Sequence, residues 1–232
     1  MLPDALLFDV DDTLVDTAQS YRRAAILTAE SYGVRITLDD VSGAKAAGDA
    51  NDDWLLTQRL IVARGVTADY EEVKRRFEAL YQGTPQRRGL KHDETLLVSP
   101  EALERWSERF TLGIVTGRPR DDALELLDRY ELRRLFSAVV TFEDGPLKPN
   151  PAPIRLALDR LGTRRAWMIG DTPDDVRAAH AAGIPAIGVV ARADEPQRAR
   201  GALEGAGAEH VLDDLGDLDS LLPRSGASGD AR

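Results

Sequence analysis

The sequence predicts an α/β protein built on a doubly wound parallel sheet, with a helical segment inserted after the first strand. Three observations carry that expectation. Short apolar runs without polar alternation recur at residues 5–8, 112–115, 138–140, 166–169 and 186–190, the pattern of strands covered on both faces. Stretches of helical periodicity separate them, as at 123–130 and 154–161. One long interval, from about Thr17 to Thr95, breaks the rhythm: it holds several helix candidates and no convincing strand.

In chain order, Ala5-Leu6-Leu7-Phe8 is the opening strand and runs into the polar segment Asp9-Val10-Asp11-Asp12-Thr13. Helix candidates follow at 17–32, 51–64 and 67–82, stopped by Gly33, Gly65 and Gly83, residues able to take a left-handed C-terminal conformation. Beyond the insertion, Ser99-Pro100-Glu101, Asn150-Pro151 and Thr172-Pro173-Asp174-Asp175 each set a capping side chain before a proline suited to the first helical position. Gly162 and Gly183 mark stops. The expected division is 1–16 with 96–222 as the sheet-bearing core, 17–95 as a helical insertion, and 223–232 as a mobile tail with nothing to bury. Following the first strand directly, the insertion is expected over the C-terminal edge of the sheet, where open α/β folds bind ligands, and there it reads as a lid.

Bulk properties narrow the function. A chain of 232 residues, 43% hydrophobic and 30% charged, suits one domain or a domain carrying an insertion. The absence of cysteine excludes disulfides, thiolate metal sites and cysteine nucleophiles, and leaves the cytoplasm as the expected location. No secretory signal pattern is visible, and no apolar stretch is long enough to span a bilayer. A formal net charge of -10 repels nucleic acid and anionic membrane surfaces, so neither is an expected partner. It repels a phosphorylated metabolite as well. An anion site on this chain therefore needs a bound cation and single, well-placed basic residues. Monomer and homodimer both stay open.

Four segments end apolar runs with residues suited to that task. Asp9 closes the first strand and Asp11 follows two residues on, a spacing that returns both side chains to one side of an extended chain. Such a pair can serve as nucleophile and acid/base, one carboxylate attacking phosphorus while the other stays protonated to meet the leaving alcohol. Asp11-Asp12-Thr13 also reads as a plain turn. Thr116 and Gly117 end the run at 112–115, and a hydroxyl beside approachable amides suits a phosphoryl oxygen, as it suits a simple strand-to-helix turn. Lys148 lies in Gly145-Pro146-Leu147-Lys148-Pro149-Asn150-Pro151, a loop stiffened by proline, where a fixed ammonium can neutralise both phosphate and Asp9. Capping explains much of Thr172-Pro173-Asp174-Asp175 but not Asp171, which ends its strand at the same edge as Asp9. Carboxylates gathered there call for a hard divalent cation, and oxygen ligands with phosphate chemistry favour Mg²⁺.

Other residues carry less. His92, His180 and His210 share no ligand spacing, and Trp54, Trp106 and Trp167 are expected in the core. Arg22, Arg23, Lys45 and Arg118 could meet a substrate, but each is expected at the solvated surface; Arg118, which follows Thr116-Gly117, is kept as a substrate-binding candidate.

In this order the four segments resemble the motifs of the haloacid dehalogenase-like superfamily, and the insertion resembles the helical cap of its phosphoglycolate phosphatase-like and β-phosphoglucomutase-like branch. The resemblance implies a Rossmann-like core of strand order 5-4-1-2-3 and a Mg²⁺-dependent phosphatase acting on a small phosphorylated metabolite. Asp9 would be the nucleophile and Asp11 the acid/base. Thr116 and Lys148 would bind the phosphoryl group. Asp9, Asp171 and Asp175 would hold the metal, with Asp11 lending its backbone carbonyl. Two departures discriminate. Asp11 is absent from true dehalogenases and phosphonatases of this kind, and Asp12-Thr13 looks more like a phosphatase than the Gly-Val of the mutases. A phosphomutase and a non-catalytic phosphometabolite-binding protein remain as alternatives.

Overall fold

The computed structural model describes residues 2–222, so the expectation for the tail at 223–232 lies outside the described residues. In chain order the elements are β1 (Ala5–Phe8), β2 (Val15–Asp16), α1 (Tyr21–Glu30), α2 (Leu38–Ala47), α3 (Asp53–Val62), α4 (Tyr70–Tyr81), β3 (Gly83–Thr84) and β4 (Arg87–Arg88). Then come β5 (Thr95–Leu96), α5 (Pro100–Ser107), β6 (Thr111–Val115), α6 (Arg120–Arg129), β7 (Phe136–Val140) and α7 (Ala152–Leu161). The chain continues through β8 (Ala166–Gly170), α8 (Pro173–Ala182), β9 (Ala186–Val189), α9 (Pro196–Ala206) and β10 (His210–Leu212).

The main sheet is parallel throughout, in the order β10-β9-β8-β1-β6-β7. This is the expected five-strand order with a sixth strand, β10, added at one edge. The alternation of β1 explains why the sheet is covered on both faces. Leu6 and Phe8 join one buried cluster, where Phe8 stacks on Trp106, and Ala5 and Leu7 join another with Val115, Met168 and Ile154. Each face is apolar, so neither can be left to water.

The helices α1 to α4 build a third cluster around Tyr21, Trp54, Phe77 and Tyr81. Three features of this segment differ from the sequence expectation. α2 was not anticipated; its buried residues are Val41, Ser42 and Lys45, too few apolar groups to make a stripe, and a Thr37/Asp40 capping box starts it. The interval is not free of strands, because β3 and β4 pair as a short hairpin with two exposed arginines, which leaves no apolar signature. α1 begins at Tyr21 rather than Thr17, since Thr17 is tied back to Asp12 through its amide and its hydroxyl. Beyond the insertion, α7 begins at Ala152 rather than at Pro151, and Asn150 Oδ1 accepts from the Ala152 amide at 2.9 Å. Ser99, Thr172, Gly162 and Gly183 act as expected, the two glycines with φ of 66° and 83°.

Candidate active site

Parallel strands bring their C-terminal ends to one edge, and register decides which ends meet. Phe8 of the central strand lies level with Ile114 on one side and Ile169 on the other. Asp9 emerges just beyond that level and Thr116 and Asp171 one residue further along their strands, so the three meet at one edge, and all are buried. Asp175 reaches the same point from the first turn of α8. Its side chain takes part in a capping box with Thr172, accepting from the Thr172 amide at 3.0 Å and hydroxyl at 2.6 Å. Gly170 makes this possible, because a Cβ there would overlap the Asp175 carboxyl.

Oxygens of Asp9, Asp171 and Asp175 lie within 4.8 Å of one another. Lys148 Nζ is 2.5 Å from Asp175 Oδ1, 3.0 Å from Asp9 Oδ1 and 2.9 Å from the Val115 carbonyl. Burial alone would weaken the ammonium's hold on its proton, but Asp175 and Asp9 outweigh burial and raise its pKa. Asp9 moves the other way from a free carboxylate. Burial pushes its pKa up to about 7, Lys148 opposes this, and Asp175 and Asp11 add to it. Asp171 is also raised, by burial first and then by Asp12, Asp175 and Asp9. Three buried carboxylates facing one ammonium hold more negative charge than the chain neutralises. Oxygen-only donors at this spacing fit a hard divalent cation.

Asp11 stands beside this group without joining it. Arg118 holds its carboxylate through Nε at 2.8 Å and Nη2 at 2.6 Å, and the same guanidinium pairs with Glu94 at 2.9 Å and accepts company from Tyr81, whose hydroxyl is 2.9 Å from Nη1. Thr116 Oγ1 accepts from the Arg118 amide at 3.2 Å, and Thr13 Oγ1 donates to Asp171 at 3.1 Å. Gly117 also serves packing, because a Cβ there would collide with the Asn51 carbonyl of the helical segment.

The expectation that Arg22, Lys45 and Arg118 are solvated is wrong; only Arg23 is exposed. Each buried cation has a carboxylate partner from another element or loop. Arg22 bonds Asp12 and Asp194 at 2.6 Å each, Lys45 pairs with Asp53 at 3.3 Å, and Arg118 is held as above. Asp12 takes a φ of 57°. Aspartate tolerates this region better than most residues, and the carboxylate there organises Thr17 and Arg22 together.

Asp174 was set aside as a first-turn acid and has a second role. It is fully buried and accepts from the Asp49 and Ala50 amides and from Asn51 Nδ2, each at 3.1 Å, fastening the loop between α2 and α3 onto the start of α8. The only signal in the sequence was the doubling of the acid, since Asp175 alone completes the capping box. Trp54 of α3 adds an edge-to-face contact with Phe142, at 5.4 Å between centroids. The helical segment thus lies closed over the carboxylate cluster.

Residues 3–183 match the family model described as haloacid dehalogenase-like hydrolase. Over 94% of its length the chain is 41% identical to an imidazoleglycerol-phosphate dehydratase of Phytophthora nicotianae, and it spans 52% of that protein's length. It is 32% identical over 77% of its length to a phosphoglycolate phosphatase of Aliivibrio fischeri, covering 80% of that protein. Among solved structures, a haloacid dehalogenase-like family hydrolase from Streptococcus pneumoniae superposes with a TM-score of 0.71 at 20% identity, over 95% of this chain and 98% of the other.

Proposed function

The chain belongs to the haloacid dehalogenase-like hydrolases, and from that premise we propose that it is a Mg²⁺-dependent phosphatase cleaving a small phosphomonoester through an aspartyl-phosphate on Asp9. The observation that carries this reading is the convergence of Asp9, Asp171 and Asp175 on one point beside Lys148. The identity to a protein named phosphoglycolate phosphatase supports the reaction class. Residues 1–16 and 96–222 would form the catalytic core and 17–95 its cap.

In this reading an Asp9 oxygen attacks phosphorus as the bond to the leaving oxygen breaks, and Asp11 gives that oxygen a proton. Asp11 then takes a proton from the water that attacks the phosphoaspartate, releasing inorganic phosphate and restoring Asp9. Arg118 fixes Asp11 in place for both transfers. Lys148 and Thr116 offer an ammonium and a hydroxyl to the phosphoryl oxygens, fixed before the substrate arrives. A divalent cation held by Asp9, Asp171, Asp175 and the Asp11 carbonyl would supply the positive charge that keeps buried Asp9 ionised and offsets the phosphoryl charge. Closure of the cap would exclude water from the first step.

The experiment is phosphate release from a panel of small phosphate esters, with Mg²⁺ and with EDTA, by the wild-type chain and by Asp9→Asn. Wild type should release phosphate only with the cation, and the variant should lose at least about 10³-fold in turnover while keeping its circular dichroism. Normal turnover by Asp9→Asn would remove Asp9 from the chemistry. Return of the phosphoryl group to a second substrate hydroxyl, without free phosphate, would identify a mutase.

A further inference from the structure

A second set of side chains, beyond Asp11, takes no part in the phosphoryl chemistry. There a small cavity, about 10 Å³ with the helical segment closed, lies between Asp11, Arg118 and Phe142 on the sheet side and Tyr21, Asp53 and Trp54 on the other. Because it borders the residue that would protonate the leaving oxygen, it is placed to meet the group attached to that oxygen.

Tyr21 lines this space and is 3% exposed, yet its hydroxyl has no hydrogen-bond partner. A buried polar group left unpaired costs about 1–3 kcal/mol, so this hydroxyl calls for a partner from outside the chain, a ligand atom or an ordered water. The charge around it is one-sided. Asp52 and Asp53 line the cavity with Asp11, and the cations beside it are already engaged, Arg118 with Asp11 and Glu94, Lys45 with Asp53, and Lys74 with the Trp54 ring. Burial raises the pKa of Asp53, and although Lys45 opposes this, Asp11 and Asp12 add to it. The rings supply a third preference. Trp54 and Phe142 meet edge to face, and the chain's own Lys74 places its ammonium 3.9 Å from the Trp54 centroid and 5.7 Å from that of Phe142. This ring pair already attracts an ammonium from the protein.

We propose that the cavity receives a cationic leaving group, so that the substrate is the phosphate ester of a small amino alcohol, its ammonium set against Asp53 and the Trp54 and Phe142 rings within reach of the Tyr21 hydroxyl. This rests on the phosphatase reading above. A carboxylate in the same place would face Asp11, Asp52 and Asp53.

The test compares kcat/KM for phosphate release, with Mg²⁺, from esters that differ mainly in charge: phosphoethanolamine (cationic), ethylene glycol phosphate (neutral) and phosphoglycolate (anionic). Histidinol phosphate is added because it joins an ammonium to an imidazole ring and so engages both the carboxylates and the ring pair. The better of the two cationic esters should exceed the neutral one by about tenfold or more, with phosphoglycolate slowest. Asp53→Asn should cut the cationic-to-neutral ratio by a similar factor, which a merely structural role would not do, since lost folding lowers both rates together. A neutral or anionic ester equal to or better than both cationic ones overturns the inference alone, as does an unchanged ratio in Asp53→Asn. Release from none of the four esters overturns the phosphatase reading and this inference with it.

Discussion

The crowded carboxylates make a quantitative prediction about stability. In the unfolded chain Asp9 titrates near 3.8, and in the folded protein burial holds it near 7. A folded pKa above the unfolded one means that the folded state keeps its proton longer. The neutral carboxyl therefore favours folding fully below about pH 4, and that contribution is lost as pH rises through 7. At about 1.4 kcal/mol for each pKa step, the loss from Asp9 alone reaches on the order of 4 kcal/mol by pH 8. Asp171 is raised as well and pushes the same way. Asp12 and Asp144, whose folded pKa values are lowered, act only in the acid range below about pH 4, so they do not mask the effect. Urea unfolding in EDTA should thus show wild type less stable at pH 8 than at pH 5. Adding Mg²⁺ should recover more stability at pH 8 than at pH 5, because the cation binds the ionised cluster. Asp53, Glu78 and Asp122 are also raised and contribute a slope of the same sign; the Asp9→Asn variant isolates the share of Asp9 and should reduce the difference between pH 5 and pH 8 by about 3 kcal/mol. Equal stabilisation by Mg²⁺ at both pH values, or an undiminished pH slope in Asp9→Asn, would refute the reasoning.

Two further substitutions test the parts separately. Lys148→Met removes the ammonium between Asp9 and Asp175 and should cost about 3–5 kcal/mol of stability in EDTA, as expected when one partner of a buried pair is lost; Mg²⁺ should recover a larger share of stability than in wild type, read from urea midpoints with and without the cation. Asp174→Ala leaves the Asp49 and Ala50 amides without their acceptor, and bonds to a buried carboxylate are worth about 1.5–3 kcal/mol each. Its effect should fall on closure of the helical segment, raising KM at least about tenfold for every ester hydrolysed with a smaller change in kcat. An unchanged KM would separate the latch from substrate capture.

What the sequence revealed and what it concealed divide along a physical line. The strands ending at Phe8, Val115 and Gly170 were legible because a two-sided parallel strand must be apolar along its whole length, and the residues just past those ends had to share an edge. Asp9, Thr116 and Asp171 followed from that topology alone. Asp175 was half legible: its spacing from Thr172 announced a cap, while its contact with Lys148 depends on a loop from another part of the chain. β10 and the β3–β4 hairpin stayed hidden because backbone pairing at an exposed edge demands no particular side chain.

The larger misreading concerned the cations. A lone arginine or lysine in a polar stretch is ordinarily solvated, and nothing near Arg22, Lys45 or Arg118 announced otherwise. Each is buried because its counter-charge arrives from elsewhere: Asp194 from the loop after β9 for Arg22, Glu94 from the segment before β5 for Arg118, and Asp53 from the start of α3 for Lys45. Such pairs are costly to bury and costly to break once buried, so those of Arg22 and Arg118 fix how the helical segment meets the sheet more firmly than apolar packing alone would. The same commitment constrains chemistry at the interface. A cation already held by carboxylates has little left to offer a substrate, so the charge that a leaving group would meet there is set by Asp52 and Asp53, which line the same cavity.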